Sequence, residues 1–501
     1  MLHITDIQKF LQCPYLYLYS LNHEKKDYVS YLRTQESFVS LLEKKLKISD
    51  AFYGSVGDGN EKALTAMETK EWLIHARFEY LGLRVNLLAM HKNEEYWDIY
   101  FGKTELYPHE DQAQYMADNL WVLRKLGIPI GNLYSVHFNQ DYEREEELDY
   151  DKLLKVSDIF YNSRNHPSHN IKLVVDQKDR DLEPIIHTME NLDVTHLQGR
   201  VKTSHCHRRF RCNYYDECWP FEKEVEDSSI LHLSNSEHKQ EMYAEGIRYL
   251  KDADINRIEG SQLQYAQIMA DKNGGLFCDK LGLKQYMEEN IRFPLSFIDF
   301  EWDSYSVPPY RGMHPFDVSL FQYSLHILDS EDAELRHEEY IGVRDCRKEL
   351  LEDMLHKLPK EGSIVTFNGF GAEIIRMREL AELFPEYAEE IEDINRRMVD
   401  FSQPFSTGLI YDLKMRGAYS LKQIVEIFGE KMSYRNLDIG KAMNAVQEWR
   451  ILEEGVGELE EIEIRKKLSE YCSMDTYSLY LVYNWFKEIL AGEPYAQYTE
   501  S

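Results

Sequence analysis

The segment Leu295–Trp302 constrains this chain most, because it places two acidic side chains inside an apolar strand pattern. It reads Leu-Ser-Phe-Ile-Asp-Phe-Glu-Trp. Side chains on a strand alternate between faces, so Asp299 and Glu301 project from the same side. Two carboxylates that close raise one another's pKa unless a cation lies between them. The pattern therefore predicts a cradle for a divalent metal. The alternative is a strand with one face in water.

Length and composition predict a globular protein of two or three domains. The chain has 501 residues, of which 43% are hydrophobic and 29% charged, as is typical of folded proteins. No apolar run reaches the ~20 residues of a membrane span, so we expect no membrane partner. Residues 1–10 lack the basic flank and apolar core of a secretory signal. We therefore expect a cytoplasmic protein whose seven cysteines are reduced thiols or metal ligands.

The formal net charge of −30 provides no general attraction to phosphate backbones. This counts against a protein that coats nucleic acid nonspecifically. It is compatible with an enzyme that has a local basic channel, or whose bound metal ions recruit a phosphate directly.

Hydrophobic periodicity predicts an α/β protein in three parts. Near the N-terminus we expect helices at 1–20 and 110–126 and strands at 83–90, 96–101 and 133–138. After a helical connector we expect strands at 295–302, 316–328, 338–343 and 363–368, and then helices from 371 to about 490. The predicted boundaries are 1–225 for the first domain, 226–290 for the connector and 291–501 for the last domain.

Further acidic residues follow the first pair in the C-terminal part. The strand predicted at 363–368 runs into Asn368-Gly369, a pair that suits a tight turn and would leave Glu373 in the first turn of a helix. Much later, Tyr471 and Asp475 stand at i, i+4 in a helical stretch, so they share one helix face.

In this order and setting, these segments resemble the DnaQ-like 3′–5′ exonucleases of the ribonuclease H-like superfamily, in the subtype that ends in Tyr-x-x-x-Asp. The resemblance covers about 295–490. It implies that Asp299 bridges two Mg²⁺ or Mn²⁺ ions, with Glu301 and Asp475 completing the ligand set. It also implies that Tyr471 orients the attacking water. Without the resemblance, this tyrosine is a helix residue packed in the core.

The chain departs from the family at the second motif, where Glu373 stands in place of the usual aspartate. Glutamate still ligates Mg²⁺ or Mn²⁺, directly or through a water, and Asp400 is the reserve candidate for this role. Two basic residues are candidate phosphate contacts. Arg311 lies in the loop 307–312, directly after the acidic strand, and Lys422 begins a predicted helix, where a solvated lysine is the alternative.

A second metal site is predicted from clustered cysteines, which in a reducing compartment indicate a soft-ligand site. Residues 206–218 contain three of them, and a fourth precedes Pro14 in the first predicted helix. This arrangement resembles the RecB-type nucleases that clamp a [4Fe–4S] cluster. The implied ligands, which would tie the first helix to the end of the domain, are Cys13, Cys206, Cys212 and Cys218. Zinc is the alternative metal, with His205 or His207 as a substitute ligand, and the remaining alternative is that these cysteines bind no metal.

The same resemblance implies a PD-(D/E)XK nuclease centre, but the sequence lacks its key residues. Asn86 stands where the first acid is expected, and in Asp98-Ile-Tyr100 a tyrosine replaces the lysine. We therefore expect that this domain does not cleave and instead binds nucleic acid or a partner. A local basic stretch supports binding, although it also fits surface residues beside a metal site. It comprises Lys202, Arg208, Arg209 and Arg211.

The sequence thus predicts a degenerate, iron–sulfur-bearing RecB-like domain followed by a DnaQ-like domain that trims single strands from the 3′ end. Single-stranded DNA is the favoured substrate. One alternative is an exonuclease directed at RNA. The other is a non-catalytic scaffold that keeps both folds and binds nucleic acid or protein.

Overall fold

The computed structural model describes residues 1–22, 32–34, 36–192, 206, 212–220, 225–429 and 442–492. They form two compact units. Unit 1 comprises Met1–Pro220 and Ser304–Asp317, and unit 2 comprises Phe221–Asp303 and Val318–Ser501. The predicted boundaries place the connector outside both domains and the loop at 304–317 in the last one. In the structure the connector lies within unit 2, and the loop at 304–317 lies within unit 1.

Unit 1 is an α/β unit built on a six-stranded mixed sheet. In spatial order, its strands are Leu154–Ser157, Ile130–Phe138, Tyr96–Gly102, Ala89–Asn93, Trp72–Ile74 and Ala51–Tyr53. A smaller sheet joins Leu2–His3, Leu83–Asn86 and Arg77–Tyr80, and two further strands, Ile159–Tyr161 and Pro167–Asn170, pair with each other. The helices are Ile4–Gln12, Pro14–Asn22, Phe38–Leu46, Asn60–Thr69, Ala113–Lys125, Tyr150–Leu153, Ile171–Gln177, Glu183–Glu190 and Tyr215–Cys218.

The single helix predicted at 1–20 is wrong, because the chain forms two helices that meet at Cys13. That residue has an extended backbone, with φ −165° and ψ 120°. Steric conflict with a following proline ring disfavours helical geometry, so Pro14 ends the first helix and begins the second. The same proline that marks the predicted metal ligand therefore also separates the two helices.

Unit 2 contains a mixed sheet in which the acidic strand is central. In spatial order, its strands are Arg336–Ile341, Val318–Leu328, Leu295–Tyr305, Ile364–Thr366 and Met398–Asp400. The central strand, Leu295–Tyr305, runs parallel to Ile364–Thr366, which runs parallel to Met398–Asp400. The two outer strands on the other side are antiparallel to each other.

Alternating side chains of the central strand serve two separate apolar layers. Phe297 packs against Tyr480 and Tyr483 of the long helix, Glu458–Ala491, with ring centroids 6.0 and 6.2 Å apart. Ile298 and Phe300 are buried in a different cluster, with the helices Arg347–Lys357, Glu373–Leu383 and Ala388–Arg397. Because strand residues alternate, Asp299 and Glu301 share the face of Phe297, toward the long helix.

Polar contacts hold the long helix against the sheet. The Thr476 hydroxyl lies 2.8 Å from the Ser324 hydroxyl and 2.8 Å from Nδ1 of His326. About two helical turns away, the Gln322 side chain donates to the carbonyl of Leu468 at 3.0 Å. Since Thr476 directly follows Asp475, these hydrogen bonds fix the position of Asp475 along the central strand.

The remaining elements of unit 2 pack around this frame. Leu263, Ala266 and Leu283, from the predicted connector, are buried in the same core as Phe297. The other helices are Lys239–Ala244, Gln262–Lys272, Lys280–Asn290, Gln403–Ser406, Leu421–Val425 and Ala442–Glu454, and a two-stranded sheet joins Leu276–Cys278 to Ile410–Asp412. Among the described residues, no helix combines the length and apolarity needed to cross a membrane.

Candidate metal centre

The acidic centre consists of Asp299, Glu301, Glu373 and Asp475 of unit 2, and the charges of the last three act on the first. The last three are 8%, 3% and 9% exposed, and Asp299 is partly buried. Two of the acids come from the central strand, one from the long helix and one from the start of helix Glu373–Leu383. Three segments distant in sequence therefore contribute carboxylates to this centre.

Burial and repulsion by neighbouring acids raise the pKa values of Asp299, Glu301 and Glu373. Burial, and then the charge of Asp475, raise the pKa of Glu301 to about 8. Burial also raises the pKa of Asp299 well above its usual range, and the charges of the other three acids add to the effect. Lys422 lowers both pKa values. A dication placed among the acids would relieve this repulsion.

Glu373 reaches the centre because of the turn that precedes its helix. Asn368 adopts a left-handed backbone with φ +63°, which asparagine tolerates. At Gly369, a Cβ atom would stand 2.0 Å from Oγ1 of Thr366, so only glycine fits there. The helix then begins at Glu373, as the Asn-Gly pair predicts. Burial, and then the charge of Asp400, raise the pKa of Glu373 to about 7.

Asp400 and Glu373 differ in how their oxygens are used. Oδ1 of Asp400 accepts hydrogen bonds from the backbone N–H groups of Asn368 and Ser402, at 2.7 and 2.9 Å. Asp400 thus braces the turn that carries Glu373. Oε2 of Glu373 is buried and has no hydrogen-bond partner within the described part of the chain. Glu373 contributes to the raised pKa of Asp299.

Tyr471 lies in the centre together with Lys422, whose role the sequence left open. Nζ of Lys422 donates a hydrogen bond to the Tyr471 hydroxyl at 2.6 Å and lies 4.7 Å from the centroid of its ring. Burial, and then the charges of the nearby acids, raise the pKa of Tyr471 far above its usual value. The tyrosine therefore keeps its proton, and the lysine supplies a positive charge beside the carboxylates.

Sequence reasoning missed Cys472, which also faces the centre. Its Sγ lies 4.0 Å from Oδ2 of Asp299, and the side chain is fully buried. Asp299, Glu301 and Cys472 form a set whose potential ligand atoms all lie within 4.8 Å of one another. The available signal was its position beside Tyr471, since neighbouring helix positions are only about 100° apart around the axis.

Asp303 is a third acid on the same strand face, and it too was missed. It is 1% exposed and accepts two hydrogen bonds from Arg450 of helix Ala442–Glu454, from Nε at 2.9 Å and Nη2 at 2.6 Å. A buried carboxylate held in this bidentate way has its charge balanced within the protein. Asp303 therefore differs from Asp299 and Glu301 in having its charge neutralised by an arginine, although all three side chains lie on the same face of the strand.

In unit 1, three of the four predicted iron–sulfur ligands lie near one another. The amide of Cys212 donates to the carbonyl of Cys206 at 3.4 Å. Burial raises the pKa of Cys212, and the thiols of Cys206 and Cys13 add to the effect. Cys218 ends the short helix Tyr215–Cys218, and all four cysteines are partly buried without a disulfide. Both the [4Fe–4S] cluster and the zinc alternative stay predictions, and His205 and His207 lie outside the described residues.

At the positions of the predicted degenerate nuclease centre in unit 1, the carboxylate is engaged in other contacts. Asp98 accepts hydrogen bonds from the amide of Asn132 at 2.6 Å and from Nδ2 of Asn93 at 3.0 Å. Tyr100 is buried and stacks on Tyr134, with ring centroids 5.0 Å apart. Asn86, at the end of its strand, is exposed. None of these groups presents an unbalanced carboxylate to a metal.

The predicted nucleic-acid contacts of unit 1 are only partly described. Arg311 is exposed and pairs with Glu146 at 3.2 Å, in a cavity whose rim also carries several other acids of the segment 143–151. The predicted basic stretch lies outside the described residues, and it comprises Lys202, Arg208, Arg209 and Arg211. Both assignments stay predictions.

Comparison with known proteins gives one match, to a family described as a domain of unknown function (DUF2779), over residues 296–420. The matched region includes Asp299, Glu301, Glu373 and Asp400, and it ends before Lys422. No curated protein and no solved structure matches the chain.

Proposed function

We propose that unit 2 is a metal-dependent 3′–5′ exonuclease that hydrolyses phosphodiester bonds of single-stranded nucleic acid, with DNA as the favoured substrate. The observation that carries the proposal is the convergence of Asp299, Glu301, Glu373 and Asp475 in a largely buried site. The raised pKa values of Asp299, Glu301 and Glu373 mean that the charged forms of these acids are disfavoured without a cation. Several buried acids in this state are typical of a functional site, here one that binds a cation.

The donor set fits Mg²⁺ or Mn²⁺. Hard divalent cations take oxygen ligands, and the four acids supply carboxylate oxygens only. Oε2 of Glu373 is a buried acceptor without a partner among the described residues, and Glu301 accepts no hydrogen bond from any residue in that part of the chain. Two such ions would activate a water and stabilise the leaving 3′ oxygen.

Within this proposal, Tyr471 and Lys422 position the reacting groups. The Tyr471 hydroxyl accepts a hydrogen bond from Lys422, and in this proposal it donates its own proton to a water or a phosphate oxygen. Because its pKa is strongly raised, the hydroxyl acts as a donor and not as a base. The Lys422 ammonium adds positive charge where a phosphate would otherwise meet carboxylates.

Glu373 is the proposed fourth carboxylate, in preference to Asp400. Asp400 uses one oxygen to hold two backbone amides of the turn, whereas Glu373 has an unpartnered oxygen and acts on Asp299. Asp400 would then support the site by keeping Glu373 in place.

Unit 1 is the proposed binding platform, with a RecB-like fold and a [4Fe–4S] cluster held by Cys13, Cys206, Cys212 and Cys218. Its engaged Asp98 and the absence of a lysine at position 100 support a role without cleavage. An iron-free preparation obtained under anaerobic conditions would count against the cluster.

The test is trimming of a 3′-labelled single strand, offered as DNA and as RNA, with Mg²⁺ or Mn²⁺. Wild-type protein should release labelled mononucleotide, and Asp299→Asn should not. Preference between the two strands decides between the DNA and RNA hypotheses. If wild-type protein with bound metal trims neither strand, the exonuclease proposal fails and the scaffold alternative gains support.

A further inference from the structure

The thiol of Cys472 gives the acidic centre a ligand that an all-carboxylate site lacks. Its sulfur and the carboxylates of Asp299 and Glu301 all lie within 4.8 Å of one another. The side chain is fully buried, and its nearest described polar contact is Oδ2 of Asp299, at 4.0 Å. An apolar residue would fill this position of the long helix equally well if packing were the only requirement.

Two oxygens and one sulfur suit a different class of ion from Mg²⁺. Thiolate is a soft ligand and favours Zn²⁺ and related ions, whereas Mg²⁺ is bound almost entirely by oxygen. Zinc sites combine ligands at about 2.3 Å for sulfur and about 2.0–2.2 Å for oxygen. Three donors within 4.8 Å of one another need only small movements to meet around one such ion.

A separate observation provides a fourth ligand. Glu373 is 3% exposed, and its Oε2 has no hydrogen-bond partner among the described residues. Its charge raises the pKa of Asp299, and its oxygens lie outside the set of atoms within 4.8 Å of one another, so Glu373 joins the trio only by moving toward it. Zinc sites are usually four-coordinate, so this oxygen completes a set of three oxygens and one sulfur.

We propose that Asp299, Glu301 and Cys472, with Glu373, form a thiol-containing site that binds Zn²⁺ more tightly than Mg²⁺. As the sulfur–zinc bond forms, the thiol releases its proton to solvent, and no electrons are transferred. Zinc bound there occupies the ligands that Mg²⁺ needs, so it inhibits trimming supported by Mg²⁺. This inference rests on the proposed function only for the inhibition. The ion binding itself does not depend on activity.

The direct test is Co²⁺ titration of the full-length protein, because a cobalt–thiolate bond gives a charge-transfer absorption band. The cysteines of unit 1 are present in every variant, so their contribution cancels in difference spectra. Cys472→Ser and Cys472→Ala should both lose intensity relative to wild type. The matched control is Cys278→Ser, which removes a partly buried thiol of the same unit and should leave this band unchanged. Wild-type intensity in both Cys472 variants would overturn the proposal.

A second measurement separates this proposal from the exonuclease proposal. Zn²⁺ binding, followed by calorimetry, should weaken at least about tenfold in Cys472→Ser, whether or not the protein cleaves any strand. If wild type trims with Mg²⁺ but Zn²⁺ binds both proteins equally, the thiol site is wrong and the exonuclease stands. If Zn²⁺ binding depends on Cys472 but no strand is trimmed, the ion site stands and the exonuclease is wrong.

Discussion

Two buried carboxylates, one in each unit, differ in the hydrogen bonds that compensate for their burial. Asp98 of unit 1 is 4% exposed and accepts hydrogen bonds from a backbone amide and an asparagine side chain. Glu301 of unit 2 is 8% exposed, and among the described residues it accepts none. Its pKa is raised to about 8. The first acid stabilises its unit, whereas the second costs free energy unless a cation binds.

The contrast also exists within one strand. Asp303 stands two residues from Glu301 and is neutralised by the bidentate contact with Arg450. The chain can therefore balance a buried acid on this strand, and among the described residues such a bidentate arginine contact is present at Asp303 and absent at Asp299 and Glu301. The unbalanced pair, Asp299 and Glu301, is what a metal centre requires.

The largest expected effect comes from Asp299→Asn. Removing the charge should reduce trimming by at least about 10³-fold, because the residue touches the reacting centre. It should also raise the melting temperature of the metal-free protein, since repulsion among the acids decreases. The comparison variant, Asp98→Asn, should trim normally and lose about 1–3 kcal/mol of stability. Equal trimming by both variants would contradict the claim that the acid of unit 2 is needed for trimming and the acid of unit 1 is not.

The next effect concerns the balanced acid of the strand. Arg450→Met should lower the free energy of unfolding of unit 2 by about 3–5 kcal/mol, because the buried carboxylate of Asp303 loses its bidentate contact with the guanidinium. The control is Arg336→Met, which breaks a bidentate pair with Asp329 whose side chains are about half exposed. That pair should contribute about 0–1 kcal/mol. Urea denaturation followed by tryptophan fluorescence measures the free energy of unfolding of both variants. Similar losses in the two would contradict a larger contribution from the buried pair.

The unbalanced acids also predict a pH dependence of stability. The pKa of Glu301 is raised to about 8 and that of Glu373 to about 7 in the folded protein. At pH values between the ordinary pKa of these groups and the raised pKa, the folded state therefore binds more protons than the unfolded chain. Stability should therefore fall by a few kcal/mol as pH rises from about 5 to about 8. Thermal melts in chelator measure this fall, which Mn²⁺ should largely abolish. The same slope with and without Mn²⁺ would contradict the account.

The smallest effect is expected at Lys422, which lowers the pKa values of Asp299 and Glu301. In Lys422→Met these pKa values rise further, so the acid limb of the pH–rate profile should move to higher pH. At pH 7 we expect a loss of about tenfold in trimming. Lys414→Met, which removes an exposed lysine of the same unit, should leave the profile in place. A uniform loss at all pH values would instead indicate a role in folding.

Local patterns predicted much of this geometry. Strand alternation predicted the shared face of Asp299 and Glu301, the Asn-Gly pair predicted a helix beginning near Glu373, and helical spacing predicted that Tyr471 and Asp475 lie one turn apart. Each of these inferences uses residues within five positions of one another, where backbone geometry alone fixes the relation.

The rest depended on contacts between distant residues. Arg450 is far from Asp303 in sequence, and nothing local indicates which arginine neutralises which acid. Lys422 looked like a solvated lysine because its partner, Tyr471, lies on another helix. The strands Met398–Asp400 and Ile410–Asp412 were missed because three residues are too few for a periodic pattern, and the region from 371 was interpreted as helical.

The most direct test of the central claim is calorimetric titration of Mn²⁺ into full-length wild type, Asp299→Asn and Asp98→Asn. The account predicts saturable binding to wild type, the same binding to Asp98→Asn, and at least about tenfold weaker binding to Asp299→Asn. Identical isotherms for all three proteins would contradict it, because the unbalanced acids of the central strand would then hold no metal.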